Sequence, residues 1–142
     1  MLYPIRHKET PLAEVERWAH KTTPVDALFA IPPTVGTFRS HARRSVVANW
    51  HAFVFDDRAM QTWYERLMAI APISRPARGA DPKPELDAAY HAHNNEQWLE
   101  LRDRFCIDYV LLRDEPNALS FPVAFSNQGW VVYDLRRESE NL

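Results

Sequence analysis

The stretch DALFAIPPTVGTFRSHARRSVVANWHA, Asp26–Ala52, decides the fold. Its first apolar run, Ala27–Ile31, is short and unbroken, the pattern of a strand covered on both faces. Periodicity alone leaves a buried helix turn open. Pro32 and Pro33 close that option, because neither has an amide hydrogen to extend a helix or a central ladder. The chain turns there, with Val35-Gly36 as the bend and Gly36 free to take positive φ. Phe38, Arg39, His41, Arg43 and Arg44 follow within seven residues. The second run, Ser45–Trp50, is rich in valine and flanked by polar residues, so it reads as another strand. The expectation is two buried strands side by side, joined by an Arg/His-rich crossover. In open α/β sheets ligands sit beyond the carboxyl ends of strands, which marks Pro32–Arg44 and Trp50–Asp57 as the places to look.

Working outward, Met1–Glu9 is a polar lead-in or tether. Thr10-Pro11 starts a helix, with a hydroxyl N-cap and proline at the first helical position. Leu12, Val15, Trp18 and Ala19 recur at helical spacing, and Thr22-Thr23-Pro24 ends the helix. Beyond the second strand, Asp56 or Asp57 caps the next helix. Its stripe of Met60, Trp63, Tyr64, Leu67 and Ile70 reads as core. Ala71–Pro84 is a proline-rich loop. A further helix starts at Asp81-Pro82 or Lys83-Pro84 and carries Leu86, Ala89 and Tyr90. His91, His93, Asn94 and Asn95 interrupt it, and Asn94 with Gln97 forms a capping box for another helix whose Trp98, Leu101 and Phe105 face inward. Cys106–Leu112, Leu119–Asn127 and Trp130–Leu135 are three more strands. Gln128-Gly129 is a tight hairpin turn, and Pro122 places the fourth strand at an edge or makes it irregular. The charged tail Arg136–Leu142 frays. This order predicts a single α/β domain over residues 1–142: a three-layer sandwich with a mixed, mostly parallel five-stranded sheet, a C-terminal hairpin and flanking helices.

Composition narrows the setting. A chain of 142 residues can bury a real core. The formal charge of -2 exerts no global pull toward nucleic acid or an anionic membrane surface, and no stretch approaches the roughly 20 apolar residues of a spanning helix. Basic residues are mostly arginine, with lysine only at Lys8, Lys21 and Lys83. Base composition explains that bias, and so does planar recognition of carboxylate or phosphate. The single cysteine, Cys106, rules out an intramolecular disulfide or a multi-cysteine metal site. Lying between Phe105 and Ile107, it reads as a buried, inert thiol.

No catalytic signature stands out. His91 and His93 point about 200 degrees apart on a helix and share no metal there, and no His/Glu pair has zinc-hydrolase spacing. Three glycines build no phosphate loop. Ser45, Ser74 and Ser126 lie in no nucleophile elbow. Asp56 and Asp57 are explained by capping, and Asp108 and Asp114 read as solvent or cap residues. No metal or cofactor is expected. The best functional candidates are Arg39, His41, Arg43 and Arg44. On an extended segment Arg39, His41 and Arg43 share a face; on a helix Arg39 and Arg43 still do. Two guanidinium groups could then converge on one anion. The competing reading is salt bridges to acidic residues of neighbouring helices. Trp50, His51, Trp63 and Arg66 are candidates to line an adjoining pocket.

Several runs also resemble the soluble C-terminal, extracytoplasmic segment of polytopic bacterial membrane proteins of a glycosyltransferase-like kind. They are W-A-x-K-x-T-P-x-D-A-L-F-x-x-P-P from Trp18 to Pro33, Phe38-Arg39, RRSVVANW over Arg43–Trp50, and WYER over Trp63–Arg66. RFCIDYVLL ending at Leu112 and WVVYDL over Trp130–Leu135 resemble the way such domains finish. The resemblance implies that Met1–Glu9 follows a membrane span and that the domain lies on the extracytoplasmic side; without it, a cytoplasmic setting is expected. It carries over no catalytic residue.

Two functions follow as expectations. One is a non-catalytic accessory or binding domain, the soluble part of a membrane-associated protein. Its partners would be a parent membrane domain, another protein or an anionic small molecule, not nucleic acid. The other is a small transferase or hydrolase holding a phosphorylated or carboxylated substrate on Arg39, Arg43 and Arg44, with His41 or His51 as base. A pocket uniting arginines with a histidine would favour the enzyme. Arginines paired to carboxylates on a flat surface would favour the accessory domain.

Overall fold

The computed structural model describes residues 9–50, 56–73, 81–114 and 119–137. Most of the lead-in, residues 74–80 of the proline-rich loop, the end of the tail and His51 lie outside the described residues.

Thr10 caps the first helix, α1 (Pro11–Thr22), its hydroxyl accepting from Ala13 N at 3.1 Å with proline at N1. Next come β1 (Leu28–Ala30), α2 (Phe38–Ala42), β2 (Ser45–Val46), α3 (Asp57–Ile70), α4 (Lys83–His91), α5 (Asn95–Phe105), β3 (Tyr109–Arg113), β4 (Val123–Ser126) and β5 (Trp130–Asp134). The five strands form one sheet in the order β2-β1-β3-β5-β4. β1 pairs in parallel with β2 and β3, and the remaining pairings are antiparallel. The two opening strands therefore do lie side by side, with Leu28 opposite Ser45 and Phe29 opposite Val46.

Side-chain alternation along the strands builds a core on each face. Phe29, Tyr109, Leu111, Trp130 and Val132 pack with Val15 and Ala19 of α1 and Phe38 and Ala42 of α2. Ala30, Val110, Leu112, Val131 and Tyr133 pack with Leu67 and Ile70 of α3, Leu86 and Tyr90 of α4, and Trp98 and Leu101 of α5. This is the expected three-layer α/β sandwich. The capping box of α5 is also present, with both the Asn94 and Gln97 bonds formed. β4 is an outer strand with a register shift between Val123 and Phe125, directly after Pro122. The β4–β5 turn carries Gly129 at φ +134, a region closed to residues with a Cβ.

Four expectations need correction. The second strand stops at Val46 rather than Trp50, because the chain bends at Val47 and Trp50 N is donated to Pro33 O at 2.8 Å. The α3 stripe is buried only from Leu67 onward: Met60 is 44% and Tyr64 56% exposed. The outer strand beneath is two residues long, so the sheet has nothing to cover the first turns of α3. Cys106 is exposed, not buried, because it ends α5 in the left-handed conformation at φ 60. Arg136 and Arg137 do not fray. Arg136 pairs with Asp134 and lies over the Tyr109 ring, and Arg137 reaches Asp103 at 3.0 Å. Asp108 also has a larger part than a cap: it accepts from Leu28 N at 2.9 Å and donates its own amide to Leu28 O, tying β1 to the entry of β3.

Candidate binding groove

The crossover between β1 and β2 was expected to hold Arg39, His41, Arg43 and Arg44 together. Its geometry disperses them. The short helix α2 buries Phe38 and Ala42 against the sheet, which turns Arg39 and His41 outward. Arg43 follows in the left-handed conformation at φ 54, so the four-residue spacing to Arg39 no longer keeps the two on one helix face.

Arg44 turns inward and is 7% exposed. Its Nε donates to Thr23 Oγ1 at 3.0 Å, Nη1 to Arg43 O at 2.9 Å, and Nη2 to His20 O and Thr23 O at 2.9 Å each. The His20 and Thr23 carbonyls lie at the C-terminal end of α1, where a cation meets the negative end of the helix. Arg44 is a helix-end plug and is not placed to take an anion. His41 faces α1, with Nδ1 3.4 Å from Glu16 Oε1. Thr37 donates to the other oxygen of that carboxylate, which is almost fully buried, at 2.9 Å.

Arg39 goes a third way. It meets the second predicted set across the outer edge of β2. A groove of about 510 Å³ runs along Ser45–Asn49, floored by Val46, Val47 and Ala48, with Arg39 on one side and Ala59, Thr62, Trp63 and Arg66 of α3 on the other. Those four α3 residues recur at i, i+3, i+4 and i+7, the spacing of one helix face. Trp63 Nε1 donates to Asn49 O at 2.7 Å, and its ring lies 6.2 Å from that of Trp50. These contacts pin the aromatic wall. Trp50 is thus a support behind the groove.

Among the described residues the groove's lining includes two arginines and no aspartate or glutamate. Neither Arg39 nor Arg66 has an acidic partner among the described residues. Ser45 adds a hydroxyl and Asn49 an amide, while the Thr62 hydroxyl is donated to Arg58 O at 3.1 Å. Asn49 is 8% exposed, and its Oδ1 is buried without a hydrogen-bond partner. A volume in the range of small-ligand sites, donors on several sides and one aromatic wall suit a ligand carrying negative charge.

A second polar cluster, missed from sequence, lies beyond the carboxyl ends of β1 and β3. Thr34 Oγ1 donates to Asp87 Oδ1 at 3.0 Å, and Arg113 Nε to Asp87 Oδ2 at 3.1 Å. Arg113 N donates to His91 Nε2 at 3.1 Å, so the proton sits on Nδ1, which donates to Asp87 O at 2.8 Å. The Arg113 guanidinium stacks 4.8 Å over Trp130. This is the usual ligand position in an open α/β sheet, but here its polar atoms are spent on one another and lock α4 to the sheet. Asp87 and His91, four apart on one helix, were the available signal.

Among the described residues no group of three or more His, Cys, Asp and Glu could hold a metal ion, and no helix is long and apolar enough to cross a membrane. A family model described as a domain of unknown function (DUF6798) matches residues 10–70. That span, under half of the chain, runs from the cap of α1 to the end of α3 and contains every residue lining the groove. Among curated proteins none matches the chain.

Proposed function

We propose that this chain is a non-catalytic binding domain, the soluble part of a membrane-associated protein, and that it holds an anionic ligand in the groove beside β2. The observation that carries the binding role is the lining among the described residues: two arginines without acidic partners, the Ser45 hydroxyl, the Asn49 amide, and no carboxylate. Of the other polar side chains first suspected of function, Arg44 is committed to the end of α1 and His41 lies against Glu16. His41 therefore faces α1 rather than the arginines, which favours binding over the transferase or hydrolase reading. The membrane association rests on the resemblance of Trp18–Pro33 and Arg43–Trp50 to the soluble segments of polytopic proteins.

The test is thermal unfolding against inorganic phosphate and a sugar phosphate. Ligand at ten times its Kd stabilises by about 1.4 kcal/mol, enough to read as a shift in Tm. The shift should shrink in Arg39→Ala and Arg66→Ala and persist in Arg43→Ala, whose side chain lies off the groove. No shift in the wild type, or equal shifts in all four proteins, would remove the groove as an anion site.

A further inference from the structure

We infer that the groove's partner is an extended, acidic peptide segment that adds a strand to the outer edge of β2. This rests on the preceding reading that the groove is the ligand-bearing surface, and it names the ligand's class.

Three observations converge. The first is the free main chain. Among the described residues β2 is the outermost strand, paired with β1 alone. Val47 N is donated to Phe29 O at 3.0 Å, so Val47 faces β1. Alternate residues of a parallel strand face opposite sides, which aims the N–H and C=O of Val46 away from β1, toward the groove that Val46 itself lines. An extended peptide satisfies such groups and draws affinity from them.

Charge is the second. Arg39 and Arg66 reach that edge from helices on opposite faces of the sheet, with no carboxylate in the lining among the described residues. A peptide lying along β2 would carry acidic side chains toward both. The third is apolar surface. Trp63 walls the groove, and one residue further along α3 from Ala59 and Trp63 stand Met60 and Tyr64, both exposed. Tyrosine, tryptophan, methionine and arginine are the residues enriched in protein interfaces. Because β2 is two residues long, the main chain supplies few bonds, and the arginines must supply the selectivity.

The experiment compares three probes: a capped peptide of about six residues whose adjacent glutamate pairs, flanked by threonine, present carboxylates to both faces of the strand, the same peptide with lysine for glutamate, and inorganic phosphate. Amide hydrogen exchange at Val46 is read by NMR and Tm by calorimetry. The glutamate peptide should slow Val46 exchange roughly tenfold or more and raise Tm. The lysine peptide should do neither, and phosphate should raise Tm without protecting Val46. Val46→Pro removes the outward amide, at a position on an outer strand where proline is accommodated. It should abolish the peptide's effect on Tm. Should Val46→Pro fail to fold, the wild-type exchange measurement decides. Binding without protection of Val46, or equal binding of both peptides, overturns strand addition. A surviving phosphate shift would then leave the anion groove standing; loss of both responses brings both readings down.

Discussion

Arg39 and Arg44 are near neighbours in the sequence with opposite fates. Arg39 is exposed and keeps its guanidinium for the groove; Arg44 is buried and gives its guanidinium to the carbonyls at the end of α1. Removing Arg44 would leave buried acceptors unpaired, each of which costs free energy. Arg44→Ala is therefore expected to lose about 2–3 kcal/mol of stability by urea denaturation. Arg39→Ala should stay within about 0.5 kcal/mol of wild type, as surface changes usually do. Equal effects would mean that Arg44 does not hold α1. A run such as RSHARR shows that arginine is present; it does not show which guanidinium is solvated. That depends on the left-handed turn at Arg43, which swings Arg44 toward α1.

Helix starts were the most legible part of the chain, because capping chemistry is local. Thr10-Pro11, Asp56 and the Asn94/Gln97 box each cap the helix that their spacing announces. How one element docks on another was not legible. His93, in the link between α4 and α5, places Nε2 2.7 Å from Ile70 O at the end of α3, and its ring lies edge-on to Trp98 at 5.0 Å. Burial lowers its pKa, and the bond to Ile70 opposes that in part. The unfolded chain therefore takes up this proton at higher pH than the folded one does. The stability contributed is full above the ordinary histidine value of about 6.5 and is lost as pH falls through the lowered folded value. His93→Gln should flatten that part of the pH–stability curve between about pH 7 and 5. An unchanged slope would show that His93 does not link α3 to α5 in this way.

Across the whole molecule, β3 is the wall that both cores share. Tyr109 and Leu111 face α1 and α2; Val110 and Leu112 face α3, α4 and α5. Tyr90 reinforces the junction from α4, donating its buried hydroxyl to Leu111 O at 2.6 Å. Leu111→Ala should cost about 2–5 kcal/mol. Although it opens a cavity on one face only, both layers should unfold at a single lowered midpoint. Tryptophan fluorescence from variants retaining only Trp18, in the α1 layer, or only Trp98, in the α5 layer, reads the two separately. Split midpoints would show that the layers are independent.

By itself the sequence determined the α/β class, the adjacency of the first two strands, the helix caps and the outer position of the strand after Pro122. Each follows from proline's missing amide, side-chain periodicity or capping chemistry, acting over a few residues. Only the tertiary structure decided that β2 is short, that the first turns of α3 stand uncovered, and that Arg39 and Arg66, 27 positions apart by their numbers, border one groove with no carboxylate among the described residues. Those outcomes depend on which surfaces remain once distant elements have packed, a long-range competition for burial that no short stretch of residues encodes.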